Sequence, residues 1–161
     1  MSVASANLQP EHKAVLEGPE EVLLTEQATL PMRLDLPGHP VVLQLRPQSF
    51  FQTNTQVATE LYATARRWVC EVAPARVWDL YSGVGGFALH LAGEGREVVG
   101  VEISEEAVLG ARRAARLADL DVDFHAGDAV AWAAQTDAQR PDLLVVNPPR
   151  RGLGPDLGAW V

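Results

Sequence analysis

This sequence predicts an α/β fold with a parallel sheet, preceded by a short β-rich segment, and three observations predict it. From Ala75 onward, short apolar runs alternate with segments of helical period. The runs Arg76-Val-Trp-Asp-Leu80, Glu97-Val-Val-Gly-Val-Glu102 and Asp142-Leu-Leu-Val-Val-Asn147 are apolar at neighbouring positions, as in strands covered on both faces. Ahead of them, Pro10, Pro19, Pro31, Pro37, Pro40 and Pro47 cut residues 1–48 into pieces too short for a long helix. The length of 161 residues suits one domain. The change of texture divides the chain into 1–48, the tail of a β-rich segment, and 49–161, the first part of an α/β domain.

Within the first segment, Val22-Leu-Leu and Val41-Val-Leu-Gln-Leu predict two or three short strands joined by turns. Asn54 or Thr55 caps a helix running to about Glu71, with Val57, Leu61, Trp68 and Val69 broadly at helical spacing. Arg76–Leu80 is the first strand of the sheet, and Gly83 to about Ala92 is a loop entering a helix. Glu97–Glu102 is the second strand. Ser104 caps the helix after it, with Glu105 and Glu106 where the helix dipole favours negative charge. Asp121 to about His125 is the third strand, Ala129–Gln135 a helix, and Asp142–Asn147 the fourth strand. Pro155 opens another helix just before Val161, a poor place for a domain to end, so the sheet is expected to be incomplete at four strands.

Composition narrows the function. At 47% hydrophobic and 21% charged residues the chain is not of the disordered class. No apolar run reaches the ~18–20 residues of a membrane span, and the residues after Met1 do not form a signal peptide. A single cysteine, Cys70, makes neither an internal disulfide nor a cysteine-based zinc or iron–sulfur site. A reducing, cytoplasmic compartment and no membrane partner are expected. The net charge of -8 argues against a broad basic face and disfavours general nucleic-acid binding by this chain alone.

The chemistry gathers at the strand ends. Asp79-Leu-Tyr-Ser-Gly-Val-Gly-Gly86 lies where the first strand hands over to its helix, the place where open parallel sheets bind ligands. Gly83 and Gly85 let the backbone turn sharply and approach a ligand closely. Glu102 ends the next strand, where a carboxylate accepts both hydroxyls of a ribose. These features imply a nucleotide-type ligand without choosing between a dinucleotide and S-adenosylmethionine, since Gly83-x-Gly85-x-x-Ala88 also fits the relaxed dinucleotide fingerprint. Asn147-Pro-Pro-Arg150 favours a methyltransferase: two prolines stiffen the loop and leave the Asn147 amide and the carbonyls as fixed contacts for a planar base. Asp128, in Ala126-Gly-Asp, is either an acceptor for an adenine amino group or a helix N-cap. His12, His39, His90 and His125 show no ligand spacing, and Trp68, Trp78, Trp132 and Trp160 read as core or interface residues.

Four stretches then carry a resemblance. Arg46-Pro-Gln-Ser-Phe-Phe-Gln-Thr-Asn54, Trp78-Asp-Leu-Tyr-Ser-Gly-Val-Gly-Gly-Phe87, Gly100-Val-Glu-Ile103 and Val146-Asn-Pro-Pro-Arg-Arg-Gly-Leu-Gly154 together resemble the RNA uracil-C5 methyltransferase family. With Asn before Pro-Pro they most resemble its RumB-type branch, which forms 5-methyluridine in 23S ribosomal RNA. The likeness runs from about Ala6 to the last residue and covers less than half of the family's length. It implies a Rossmann-like class I S-adenosylmethionine-dependent methyltransferase fold, truncated at both ends. Of the family's seven strands this chain would supply the first four, in the 3-2-1-4 order of doubly wound sheets.

The resemblance further implies S-adenosyl-L-methionine as cofactor, with its contacts falling on Gln52, Tyr81, Glu102 and Asn147 beside Gly83 of the glycine loop and Asp128. It puts Arg150 on the target uracil or a flanking phosphate of 23S ribosomal RNA, and Arg151 on a phosphate. Phe50 or Phe51 stacks on a base. In the family, a cysteine thiolate adds to uracil C6, the resulting enolate attacks the methyl group through C5, and a carboxylate removes the C5 proton. Both groups lie downstream of Asn-Pro-Pro-Arg, so no catalytic residue is assigned here and this chain alone is expected to be inactive. The family branch's iron–sulfur cluster belongs to cysteines upstream of the matched region. The fourth strand, normally interior, is expected to be an edge that self-associates or is covered by residues 20–46. Two enzyme readings compete, an amino-group methyltransferase, which usually carries an aromatic residue where Arg150 stands, and a nicotinamide-dependent oxidoreductase. A cofactor-binding module or inactive remnant is the third.

Overall fold

The computed structural model describes residues 3–10, 18, 20–135, 140–150 and 152–161, so His12 and Arg151 lie outside the described residues. Two antiparallel ribbons come first, β1 (Ser5–Leu8) with β2 (Glu20–Leu23) and β3 (Leu30–Leu36) with β4 (His39–Leu45). The first segment thus holds four described strands where the sequence suggests two or three. Proline density concealed them: in a two-stranded ribbon every strand is an edge, so Pro31 and Pro40 sit within β3 and β4 without costing an interior ladder bond.

Helix α1 (Thr55–Val72) follows, then β5 (Arg76–Leu80), α2 (Gly86–Leu91), β6 (Glu97–Glu102), α3 (Glu105–Ala118), β7 (Asp123–Ala126), α4 (Ala129–Gln135), β8 (Leu143–Val146) and α5 (Gly154–Trp160). The sheet is parallel with spatial order β7-β6-β5-β8, the expected arrangement of a Rossmann-like half-sheet. The caps are those the sequence signals: Asn54 Oδ1 accepts from the Val57 N–H at 3.1 Å and Ser104 Oγ from the Ala107 N–H at 3.3 Å.

Because side chains alternate across a strand, the sheet divides the core in two. Val77 and Val98 face α1, α2, α3 and the β3–β4 ribbon, while Trp78, Leu80, Val99 and Val101 face α4 and α5. On the second side Trp78 stacks on Trp160, with centroids 5.7 Å apart, and the Arg140 guanidinium lies over the Trp160 ring. The buried face of α1 is Ala58, Tyr62 and Val69, so Val69 points inward as expected while Ala58 and Tyr62 stand one residue on from Val57 and Leu61. Val57, Leu61 and Trp68 are exposed, so Trp68 is not a core residue.

Residues 20–46 do not cover β8. The β3–β4 ribbon packs on α1, α2 and α3 instead, because Leu34, Leu43 and Val41 join the core on that side. Among the described residues β8 pairs with β5 alone, which leaves its other edge unpaired.

One wedge fixes the glycine turn over the sheet. The fully buried Phe124 ring of β7 fills the space beside Gly85 and Gly100, where added Cβ atoms would lie 2.7 and 2.5 Å from it. Phe124→Ala should therefore cost about 3–5 kcal/mol and Gly100→Ala about 1–3 kcal/mol in urea unfolding. The double variant should cost clearly less than the sum, since removing the ring makes room for the methyl. Strict additivity would contradict this packing.

Candidate functional site

The carboxyl ends of β5, β6, β7 and β8 open into one cleft of about 630 Å³, a size suited to a nucleoside-type ligand. Gln52, Tyr81, Gly83, Glu102, Asp128, Asn147 and Arg150 all line it, so these seven residues singled out in the sequence are brought to one place. Phe50 and Phe51 line it too, with different roles: Phe51 is packed against the core, while Phe50 is 76% exposed at the mouth.

Glu102 organises the centre. Its Oε2 accepts from the Gly83 N–H and its Oε1 from the Ser104 N–H, both at 3.0 Å, so the carboxylate is pinned at both oxygens while its remaining lone pairs stay available. Gly83 has φ +54°, and a Cβ built on it would meet no atom within 4 Å. That open approach is what a ligand lying against the loop requires. Gly85, with φ +82°, needs its missing side chain for Phe124 behind it, so its role is packing rather than ligand approach. Tyr81 holds a left-handed backbone at φ +65°, uncommon for a non-glycine residue, and this turn aims the loop at the cleft.

Asp128 Oδ1 accepts from the Ala131 N–H at 2.9 Å, an N-cap bond, and the residue also borders the cleft. Asn147 and Arg150 are exposed on the far wall, on either side of the two prolines. Cys70 is exposed on α1 and does not line the cleft. Among the described residues no group of three or more His, Cys, Asp or Glu side chains is placed to hold a metal, and no helix is long and apolar enough to cross a membrane.

The sequence reading missed the floor. Tyr62, Ser82 and Phe87 line it. The Ser82 hydroxyl is buried beside Gly100 of β6 with no hydrogen-bond partner among the described residues. Tyr62 stacks on His90 at 4.8 Å and meets Phe87 edge-on at 5.0 Å. The signal for Tyr62 is its spacing from Ala58 and Val69 on the inward face of α1.

Beneath the turn, Asp79 is fully enclosed: one oxygen accepts from the Ala88 N–H at 2.9 Å and the other has no partner among the described residues. Burial, with the Glu102 charge adding to it, pushes its carboxyl up to about 7 against the pull of that N–H. The same enclosure raises the Tyr62 phenol to about 12 and lowers the His90 imidazole to about 4.

Comparisons with known proteins fit this geometry. Residues 77–147 match a family model described as a methyltransferase domain. The tRNA (uracil-54, C5)-methyltransferase of Pyrococcus abyssi, solved with S-adenosyl-L-homocysteine, superposes with a TM-score of 0.74 at 28% identity, over 95% of this chain and 36% of that one. The 16S rRNA N2 G1207 methyltransferase of T. thermophilus, solved with AdoMet and guanosine, gives 0.64 at 26% identity, over 86% and 38%. The fold is that of the S-adenosylmethionine-dependent class I methyltransferases. In sequence, the 23S rRNA (uracil(747)-C(5))-methyltransferase of Halothiobacillus neapolitanus is 52% identical over 100% of this chain and 42% of its own length. That of Vibrio cholerae is 50% identical over 99% and 41%. In sequence the chain is similar to these RNA uracil-C5 methyltransferases, and it spans about two fifths of their length.

Asp79 gives the site a measurable pH signature. Its folded value is above the ordinary 3.8, so the stability it contributes is complete below about 4 and is lost as pH rises through about 7. His90 has the opposite sign: its folded value lies below 6.5, and its contribution is lost as pH falls towards about 4. Asp79→Asn, which keeps an acceptor for Ala88, should gain up to ~4 kcal/mol relative to wild type between pH 4 and 8, less whatever relaxation takes up. Urea midpoints across that range check it. A wild-type-to-variant difference that does not change with pH would contradict the assignment.

Proposed function

We propose that this chain is the cofactor-binding part of a 23S ribosomal RNA uracil-C5 methyltransferase and binds S-adenosyl-L-methionine in the cleft at the strand ends. The observation that carries this is the meeting of Glu102, the open Gly83 and Asn147-Pro-Pro in one cleft. The residues fit the group: Glu102 takes the ribose hydroxyls, Asp128 and Asn147 border the base, Tyr81 lies along the nucleoside, and Gln52 faces the methionine end. When bound, the cofactor supplies an electrophilic methyl group. The carboxylates of Glu102 and Asp128 suit a cation better than a pyrophosphate, and Glu102 already occupies the Gly83 N–H that a dinucleotide phosphate would need.

Arg150, exposed beside the prolines, meets the target uracil or its phosphate. No cysteine is among the described cleft residues, and methyl transfer to uracil is assigned to the cysteine and carboxylate that the family carries downstream of Asn-Pro-Pro-Arg. Residues 49–161 are the cofactor-binding part, residues 1–48 the tail of a β-rich segment, and the protein works in the cytoplasm on ribosomal RNA.

Calorimetry should show the chain binding S-adenosylhomocysteine, with Glu102→Ala weakening it at least about tenfold, and no comparable affinity for NAD. Tighter NAD binding, or an unaffected variant, would overturn the reading. Labelled methyl transfer to unmodified 23S ribosomal RNA should be absent for this chain. It should appear when the protein is extended to the length of its relatives, and be lost again on Arg150→Ala. Turnover by this chain that is abolished by Cys70→Ala would contradict it.

We further propose that the edge of β8 left unpaired among the described residues supports self-association. Sedimentation should show dimers or larger species that Val145→Lys reduces. A monomer at all accessible concentrations would count against that.

A further inference from the structure

We propose that Arg46 is a positioning residue of the cleft, a three-way latch that holds loop 46–54 so that Phe50 and Gln52 reach the ligand. Its guanidinium pairs through Nη1 with Glu106 in the first turn of α3 and through Nη2 with Glu21 on β2 at 3.5 Å. Glu21 in turn accepts from the Ser5 hydroxyl of β1 at 2.8 Å, so the latch reaches both strands of the first ribbon. The guanidinium is mostly enclosed, with 23% of its side chain exposed, and Glu21 more so at 12%. The Arg46–Glu21 arm, shielded to this degree, is screened less than a surface pair, whereas Glu106 is 57% exposed and its arm is open to solvent.

The backbone of the same residue folds the loop. The Arg46 N–H donates to Ser49 Oγ and the Ser49 N–H donates to the Arg46 carbonyl, both at 2.9 Å, closing a tight turn immediately before Phe50. Where this turn sits is set one helical turn along α3: Gly110 lies four residues from Glu106, and a Cβ there would come within 2.8 Å of the Gln44 carbonyl. The close passage of β4 over Gly110 delivers Arg46, two residues on, to Glu106 on the same helix face. Glu21, Arg46 and Glu106 wall a hollow of about 270 Å³ that shares Phe50, Gly83 and Glu102 with the main cleft. The latch therefore connects the first ribbon and α3 to the loop presenting two cleft residues.

The consequence for ligand binding rests on the reading that S-adenosylmethionine occupies the cleft, whereas the latch itself is testable without ligand. In amide hydrogen exchange on the free protein, Arg46→Ala should speed exchange at residues 46–54 and 20–23, leaving β5 and β6 unchanged. Unaltered exchange in both segments would overturn the latch. In calorimetry with S-adenosylhomocysteine, Arg46→Ala should raise Kd about tenfold, Arg46→Lys should recover part of that loss, and Arg113→Ala, an exposed arginine of α3, should do nothing. Glu106→Gln should weaken binding in the wild type and add little once Arg46 is gone. Binding that is equal in wild type and Arg46→Ala would overturn the positioning role. No binding by the wild type would instead remove the cofactor reading and leave hydrogen exchange to decide the latch. Should Arg46→Ala fail to fold, Arg46→Lys and Glu106→Gln carry both measurements.

Discussion

The Glu102 carboxylate, held at once by the N–H groups of Gly83 and Ser104, is the contact on which the rest of the site depends. It joins the turn after β5 to the entrance of α3, two segments that would otherwise vary independently. An ionised acceptor bonded by two backbone donors is a strong anchor, because each bond is charge-assisted. The same geometry prepares a ligand site: the oxygens are fixed in direction before any hydroxyl arrives, so little ordering is left to occur on binding.

Packing behind the loop keeps that anchor in place. Phe124 occupies the volume that Gly85 and Gly100 leave open, so β7 and the glycine turn are fitted to one another through a single ring. On the other side Tyr62 touches the turn at Gly86, where an added Cβ would lie 2.4 Å from its hydroxyl. The left-handed Tyr81 in the turn and the enclosed, half-satisfied Asp79 on β5 beneath it are costs this arrangement carries, and both adjoin the cleft's glycine loop. The β3–β4 ribbon joins the same core through Leu34 and Leu43, so it supports the site as well as preceding it.

Much of this was legible in the sequence because it is written in local chemistry. Asn54 and Ser104 announce their helices through side chains that cap within three residues, and β5, β6 and β8 announce themselves through consecutive apolar positions. Glu102, Asn147 and the glycine loop were legible for a related reason: in a doubly wound sheet the strand ends converge, so a residue placed there is placed at the site. Gln52 and Tyr81 came only through the family resemblance. What was not legible depends on contacts distant in sequence. On α1 Val69 is buried as expected, but Ala58 and Tyr62 pack inward where Val57 and Leu61 were expected, and Trp68 is exposed. The reason for Gly85 lies in Phe124, some forty residues on, and the latch at Arg46 needs partners on β2 and α3. The strands of the first segment were obscured by prolines that a two-stranded ribbon tolerates.

A crystal structure of the chain with S-adenosylhomocysteine tests the central claim most directly. The account predicts both ribose hydroxyls within about 2.6–3.2 Å of the Glu102 carboxylate, with the Gly83 N–H still bonded to Oε2 and the base between Asp128 and Asn147. A ligand bound outside this cleft, or a ribose turned away from an unchanged Glu102, would contradict it.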